Sequence, residues 1–152
     1  MTQPTLPLDG LIQVAIVVED IEKAMDHWCE LFGLDRPEVM IMGQPNNNET
    51  YRGEPADYRM KLAVIEVPGT QLVIELTEPD QNPSTFREYL DKHGEGVHHL
   101  GLAVGDRRDE VVADLVGRGF ARRVEAFYPG GSWTVMDTEE ALGVNLNIKP
   151  HA

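Results

Sequence analysis

One carboxylate stands inside an otherwise apolar run, Leu72-Val73-Ile74-Glu75-Leu76. A lone buried carboxylate is costly, so Glu75 must be paired, bind a cation or have its pKa raised; the plain alternative is a strand residue facing a solvated cleft. Near the end of the chain Asn145 and Asn147 alternate onto one face of a strand-like run, which predicts a polar, hydrogen-bonding floor. His98 and His99 are neighbours, and in a regular strand their rings point to opposite faces, so His98 reads as structural. Tyr128, Trp133 and Tyr58 could line a cleft, although aromatic residues on strands more often pack in a core. Cys29 lacks a nucleophile motif and reads as a small buried hydrophobe. The pairs Arg107-Arg108 and Arg122-Arg123 either meet an anionic tail or are solvated surface.

The elements that must position these groups occur twice. Leu11 to Val18 alternates as a strand; Glu19-Asp20 then opens an amphipathic helix with apolar residues at Ile21, Ala24, Met25, Trp28, Leu31 and Phe32, stopped by Gly33. Val97 to Val104 is a second such strand, Gly105-Asp106 caps a second helix carrying Val111, Val112, Leu115 and Val116, and Gly119 ends it. Placing Gln13 on His99, an offset of 86 (99 − 13), also places Val18 on Val104, Asp20 on Asp106 and Gly33 on Gly119, so one unit is used twice. Further strands follow each helix: 38–42, 58–67 and 70–78 in the first copy, 121–128, 132–137 and 144–149 in the second. Residues 44–55, with the run Asn46-Asn47-Asn48, read as a mobile loop, and Ser84 or Thr85 caps a short helix carrying Phe86, Tyr89 and Leu90 between the copies. The organisation is a tail at 1–9, a first module at 10–80, a connecting helix and loop at 81–96 and a second module at 97–150.

Acidic residues outnumber Lys and Arg by 26 to 13, and the resulting charge of −13 argues against nucleic acid and anionic membranes as partners. No apolar run approaches the ~18 residues of a membrane span, and the polar, proline-punctuated start does not read as a secretory signal. A single cysteine leaves no intrachain disulfide, which fits a cytoplasmic location.

The segment Lys92-His93-Gly94-Glu95-Gly96-Val97-His98-His99-Leu100, preceded by Asn82-Pro83, resembles the region before the second module of methylmalonyl-CoA epimerases. Thr70 to Pro79 and Met136-Asp137-Thr138-Glu139 running into Gly143-Val144 look like closing strands of the same superfamily, the vicinal oxygen chelate or glyoxalase-like proteins. That resemblance covers nearly the whole chain. It implies an α+β fold in which two βαβββ modules form a cupped mixed sheet around one cleft, and a homodimer. It also implies one divalent ion (Zn, Ni, Co, Mn or Mg) on Gln13, Glu75 and His99, with Asn147 at the remaining ligand position. No organic cofactor is expected.

In such proteins the last ligand is normally a glutamate that also moves the substrate proton, and the amide of Asn147 cannot accept one. The implied activity is isomerase or lyase chemistry, metal-assisted proton abstraction next to the carbonyl of a small carbonyl or thioester substrate. Asn147, Asn145, Tyr128 and Trp133 would then contact that substrate. Glu49, Glu54, Asp57 and Glu66 are the other base candidates, and none aligns with the resemblance. The alternative reading is a metal-free protein that sequesters a small molecule on the same scaffold, with its cleft keeping the binding surface but not the chemistry. An extradiol dioxygenase role is disfavoured because its iron needs two histidines and a carboxylate in one facial set.

Overall fold

The structure is a computed structural model that describes residues 4–43 and 48–152. In chain order the first half holds β1 (Leu11–Val17), α1 (Ile21–Phe32), β2 (Met40–Met42), β3 (Thr50–Tyr51), β4 (Glu54–Pro55), β5 (Met60–Glu66) and β6 (Val73–Pro79). Then α2 (Thr85–His93) leads to β7 (Gly96–Ala103), α3 (Arg108–Gly117), β8 (Arg122–Tyr128), β9 (Gly131–Met136), the one-turn α4 (Glu139–Leu142) and β10 (Asn145–Lys149). No helix among the described residues is long and apolar enough to cross a membrane.

Eight strands form one mixed sheet in the order β2-β5-β6-β1-β7-β10-β9-β8. Each half contributes four neighbours: β6 runs parallel to β1, β10 runs parallel to β7, and the other pairs are antiparallel. β1 and β7 pair antiparallel at the centre, so the two βαβββ modules join within the chain into one curled half-barrel.

Alternation sorts the side chains. From one face of the sheet Ile16, Ala63, Ile65, Ile74 and Leu76 pack on Ile21 and Met25 of α1, while Leu102, Leu146 and Ile148 pack on Val111, Val112 and Leu115 of α3. Each of the fully buried larger aliphatic side chains among them, such as Ile21, Leu76, Val111 and Ile148, stabilises by roughly 1.5–3 kcal/mol. The concave face is apolar only toward its margin, where Val17, Met60, Val124, Ala126, Trp133 and Val135 meet Phe86 and Leu90 of α2. At its centre the inward positions are Gln13, Glu75, His99 and Asn147. Burial of the two outer helices thus fixes the register that turns these polar groups inward.

The expected start and stop of α1 are present: the Asp20 side chain accepts from Lys23 N at 3.1 Å, and Gly33 takes the left-handed conformation at φ 65°. Leu31 and Phe32 depart from the expected stripe, since α1 rotates them to solvent and Phe32 stacks on Trp28 instead. Gly105-Asp106 does not cap α3 directly, because a 3-10 turn over Gly105–Arg107 intervenes and no side chain caps the helix. Of the expected mobile loop, residues 44–47 lie outside the described residues, as do residues 1–3 of the tail. Residues 50–55 form the β3–β4 hairpin, which docks on β8 through Arg52 N to Arg123 O at 2.8 Å and Glu125 N to Thr50 Oγ1 at 3.0 Å. Cys29 is half-buried and free.

Candidate functional site

Two rows of the sheet build the site. In one, Gln13 of β1 lies opposite Gly101 of β7, which lies opposite Asn147 of β10. In the next, Ala15 lies between Glu75 of β6 and His99 of β7. The small residues at the centre give the polar side chains room to lean inward. At Gly101 the need is strict: an added Cβ would sit 2.6 Å from Gln13 Oε1 and 2.7 Å from Gln13 Cβ.

The result is a cavity of about 160 Å³ whose floor carries Gln13, Glu75, His99, Asn147 and Lys149. Met60, Leu62, Phe86 and Trp133 form its apolar wall, and Tyr128 stands at its half-exposed rim. The floor is bonded to itself. Gln13 Nε2 donates to Glu75 Oε2 at 2.5 Å, while Gln13 Oε1 lies 3.0 Å from His99 Nε2 and 3.3 Å from Asn147 Nδ2. Asn147 Oδ1 accepts from the backbone N–H of Thr134 at 3.1 Å, which turns the amide nitrogen toward the cavity.

His98 does not follow strand alternation. Ala15 pairs with His99 and Ile16 with Val97, so His98 is the extra residue of a β-bulge and both rings fall on the concave side. Their Nδ1 atoms are 2.8 Å apart, His98 Nε2 is 3.1 Å from Thr85 Oγ1, and Phe86 covers the His98 ring with centroids 4.6 Å apart. With the Gln13 amide nitrogen on the carboxylate, its oxygen faces His99 Nε2, so that nitrogen carries hydrogen. His99 Nδ1 then accepts from His98, whose Nε2 accepts from the Thr85 hydroxyl.

Burial sets the charges of these groups. It pushes the Glu75 carboxyl up to about 7, a rise moderated by the Lys149 ammonium and by the bond from Gln13. Burial, helped by Lys149, lowers His99 to about 3; burial and then His99 and Arg123 hold His98 well below the usual histidine value. Both imidazoles are therefore neutral near pH 7.

Four of the expected residues, Gln13, Glu75, His99 and Asn147, are thus brought together, with Tyr128 and Trp133 on the same cavity. Asn145 is not on it: its Nδ2 donates to His98 O at 3.2 Å, so it supports the bulge from beneath. Tyr58 is fully buried in the core, and Glu49, Glu54, Asp57 and Glu66 lie off the cavity. Arg123, one of the basic residues expected either at solvent or on an anionic tail, is 5% exposed and bonds Asp137 at 3.0 Å; Arg108 bonds Glu125 at 2.6 Å. Lys149, Gly101, Phe86, Met42, Met60 and Leu62 escaped the sequence reading of the site. Lys149 carried a signal, the same period-two series as Asn145 and Asn147, and Gly101 and Phe86 carried none.

A family model described as the glyoxalase/bleomycin resistance protein/dioxygenase superfamily matches residues 12–136. The chain belongs to that superfamily. Among solved structures, the methylmalonyl-CoA epimerase of Mycobacterium tuberculosis is similar with a TM-score of 0.61 at 23% identity, over 99% of this chain and 93% of that one. A hypothetical protein of Bacillus halodurans gives 0.62 at 18% identity, over 91% of each chain. A Streptomyces coelicolor methylmalonyl-CoA epimerase variant in complex with 2-nitronate-propionyl-CoA gives 0.61 at 19%, over 93% of this chain and 96% of that one. At these identities the likeness is one of fold. No curated protein matches the chain in sequence.

The superfamily resemblance implied a divalent ion, and the donors of this superfamily member do not fit one. The floor offers only one carboxylate and one imidazole. The fourth corner offers the N–H₂ of Asn147, held there by Thr134, and the ammonium of Lys149 adds a positive charge beside Glu75 and His99. Among the described residues no three His, Cys, Asp or Glu side chains are grouped to hold a metal.

Proposed function

We propose that this superfamily member binds a small oxygen-bearing molecule, a carbonyl compound or a thioester head, in the cavity over Gln13, Glu75, His99 and Asn147, without a divalent ion. The observation that carries the reading is the orientation of Asn147. Its oxygen is committed to a buried backbone N–H, so the corner where a fourth ligand would stand presents a hydrogen-bond donor. His99, Asn147 and Lys149 then recognise ligand oxygens, while Met60, Leu62, Phe86 and Trp133 enclose the apolar part. A cavity of about 160 Å³ compares with one of ~150 Å³ that encloses benzene, so the enclosed part of the ligand has about six non-hydrogen atoms.

The test is metal analysis of protein purified without chelator, followed by thermal melts with added zinc, manganese, cobalt or magnesium. A ligand of the native state raises the midpoint as its concentration grows. The expected result is no stoichiometric metal and an unchanged midpoint; a midpoint that climbs with ion concentration would overturn the reading and return the site to metal-assisted chemistry on Gln13, Glu75 and His99.

A second reading, proton abstraction next to a carbonyl, is favoured by one observation. Glu75 is a carboxylate on the cavity floor with its pKa near neutrality, as a general base requires. Methylmalonyl-CoA epimerases of similar fold are described in complex with methylmalonyl-CoA or 2-nitronate-propionyl-CoA. Incorporation of solvent deuterium into methylmalonyl-CoA, followed by NMR and abolished in Glu75→Gln, is the expected outcome. Exchange unaffected by that substitution would remove Glu75 as the base.

A further inference from the structure

Lys149 is the last residue of β10 and lines the cavity floor, half-buried, two residues beyond Asn147. Among the described residues its ammonium makes neither an ion pair nor a side-chain hydrogen bond, whereas most arginines of the chain are engaged by a carboxylate. It is near enough to bear on both Glu75 and His99, yet no Lys149 nitrogen lies within the 4.0 Å of Glu75 that an ion pair requires. A cation that lines a cavity at this range, without a partner among the described residues, is free to take one from the ligand. The long-range field of a chain with net charge −13 repels anions, so an anion held here depends on that local charge.

We propose that the Lys149 ammonium supplies the positive charge of this cavity, so that the ligand is a small anion, a carboxylate or 2-oxo acid, held by one oxygen on Lys149 with its reactive carbon toward Glu75. This rests on the ion-free reading of the site and names the ligand class that reading left open. The role that a bound divalent ion would have, drawing a negative oxygen to the floor, falls to a side chain. His99 and Asn147 add N–H groups once the ligand oxygen replaces Gln13 Oε1 as their acceptor.

Matched pairs that differ only in charge test this. Pyruvate, acetate and oxalate are titrated by calorimetry against methyl pyruvate, methyl acetate and dimethyl oxalate, in buffer containing chelator. At least one acid is expected to bind tenfold or more tighter than its ester. Lys149→Met, which keeps the length and removes the charge, is expected to erase that preference, and Lys149→Arg to keep it, which separates lost charge from a damaged fold. Acid and ester binding alike, no acid binding at all, or an undiminished preference in Lys149→Met would overturn the proposal. Stoichiometric metal in the purified protein is the separate result that would sink the ion-free reading beneath it.

Discussion

Replacing Glu75 by Gln removes the one ionisable oxygen of the cavity floor while keeping an acceptor for Gln13, and its effect on stability should depend on pH. Burial raises the Glu75 carboxyl from 4.5 to about 7, which at ~1.4 kcal/mol per pKa unit corresponds to roughly 3 kcal/mol. Glu75 is half-buried and lines the cavity, so the figure is reduced to roughly 1.5–3 kcal/mol. A carboxyl with a raised folded pKa contributes stability that is complete below 4.5 and is lost as pH rises through about 7. Wild type should therefore lose ground to Glu75→Gln between pH 5 and 8.5. His98 and His99 work the other way, their lowered folded values withdrawing stability as pH falls below 6.5, but both chains keep them and they cancel in the difference. Urea unfolding followed by the fluorescence of Trp28 and Trp133, with chelator present, gives the two curves. A gap that does not change with pH would mean that Glu75 ionises in the folded chain without penalty, and the account of the floor would be wrong.

Gly101→Ala should cost roughly 1–3 kcal/mol because its Cβ meets Gln13 Oε1 at 2.6 Å and Gln13 Cβ at 2.7 Å, and most of that cost should vanish in a Gln13→Gly background, which removes both atoms. Additive costs in the urea double-mutant cycle would show that the Gln13 side chain does not lie over Gly101. Asn147→Glu places a second carboxylate beside Gln13 and His99 and should make thermal stability rise with zinc or cobalt concentration. An unresponsive midpoint would mean that residue 147 does not face a volume an ion can enter. Thr85→Val leaves His98 Nε2 without its partner and should destabilise by roughly 1–3 kcal/mol, while Thr85→Ser should stay close to wild type. Equal losses in the two variants, measured by chemical denaturation, would assign the effect to packing instead of the hydrogen bond.

Whereas the paired βαβββ architecture and the meeting of Gln13, Glu75, His99 and Asn147 were implied by the resemblance to the glyoxalase-like superfamily, the duplicated unit was legible in the chain, because strand alternation and helix stripes are local consequences of residue order. A carboxylate inside an apolar run announced itself for the same reason. What alternation could not convey was settled by neighbours distant in sequence. Pairing of β1 with β7 inserts the bulge that brings His98 beside His99; α2 lands on the concave face and delivers Phe86 and Thr85; and the Thr134 N–H turns the Asn147 amide so that nitrogen, not oxygen, meets the cavity. An amide has two ends of opposite hydrogen-bonding character, and residue type alone does not say which one faces inward. That choice, and an ammonium at Lys149 without a partner among the described residues, belong to the folded chain, since only strand pairing determines which donors and charges share a 160 Å³ space.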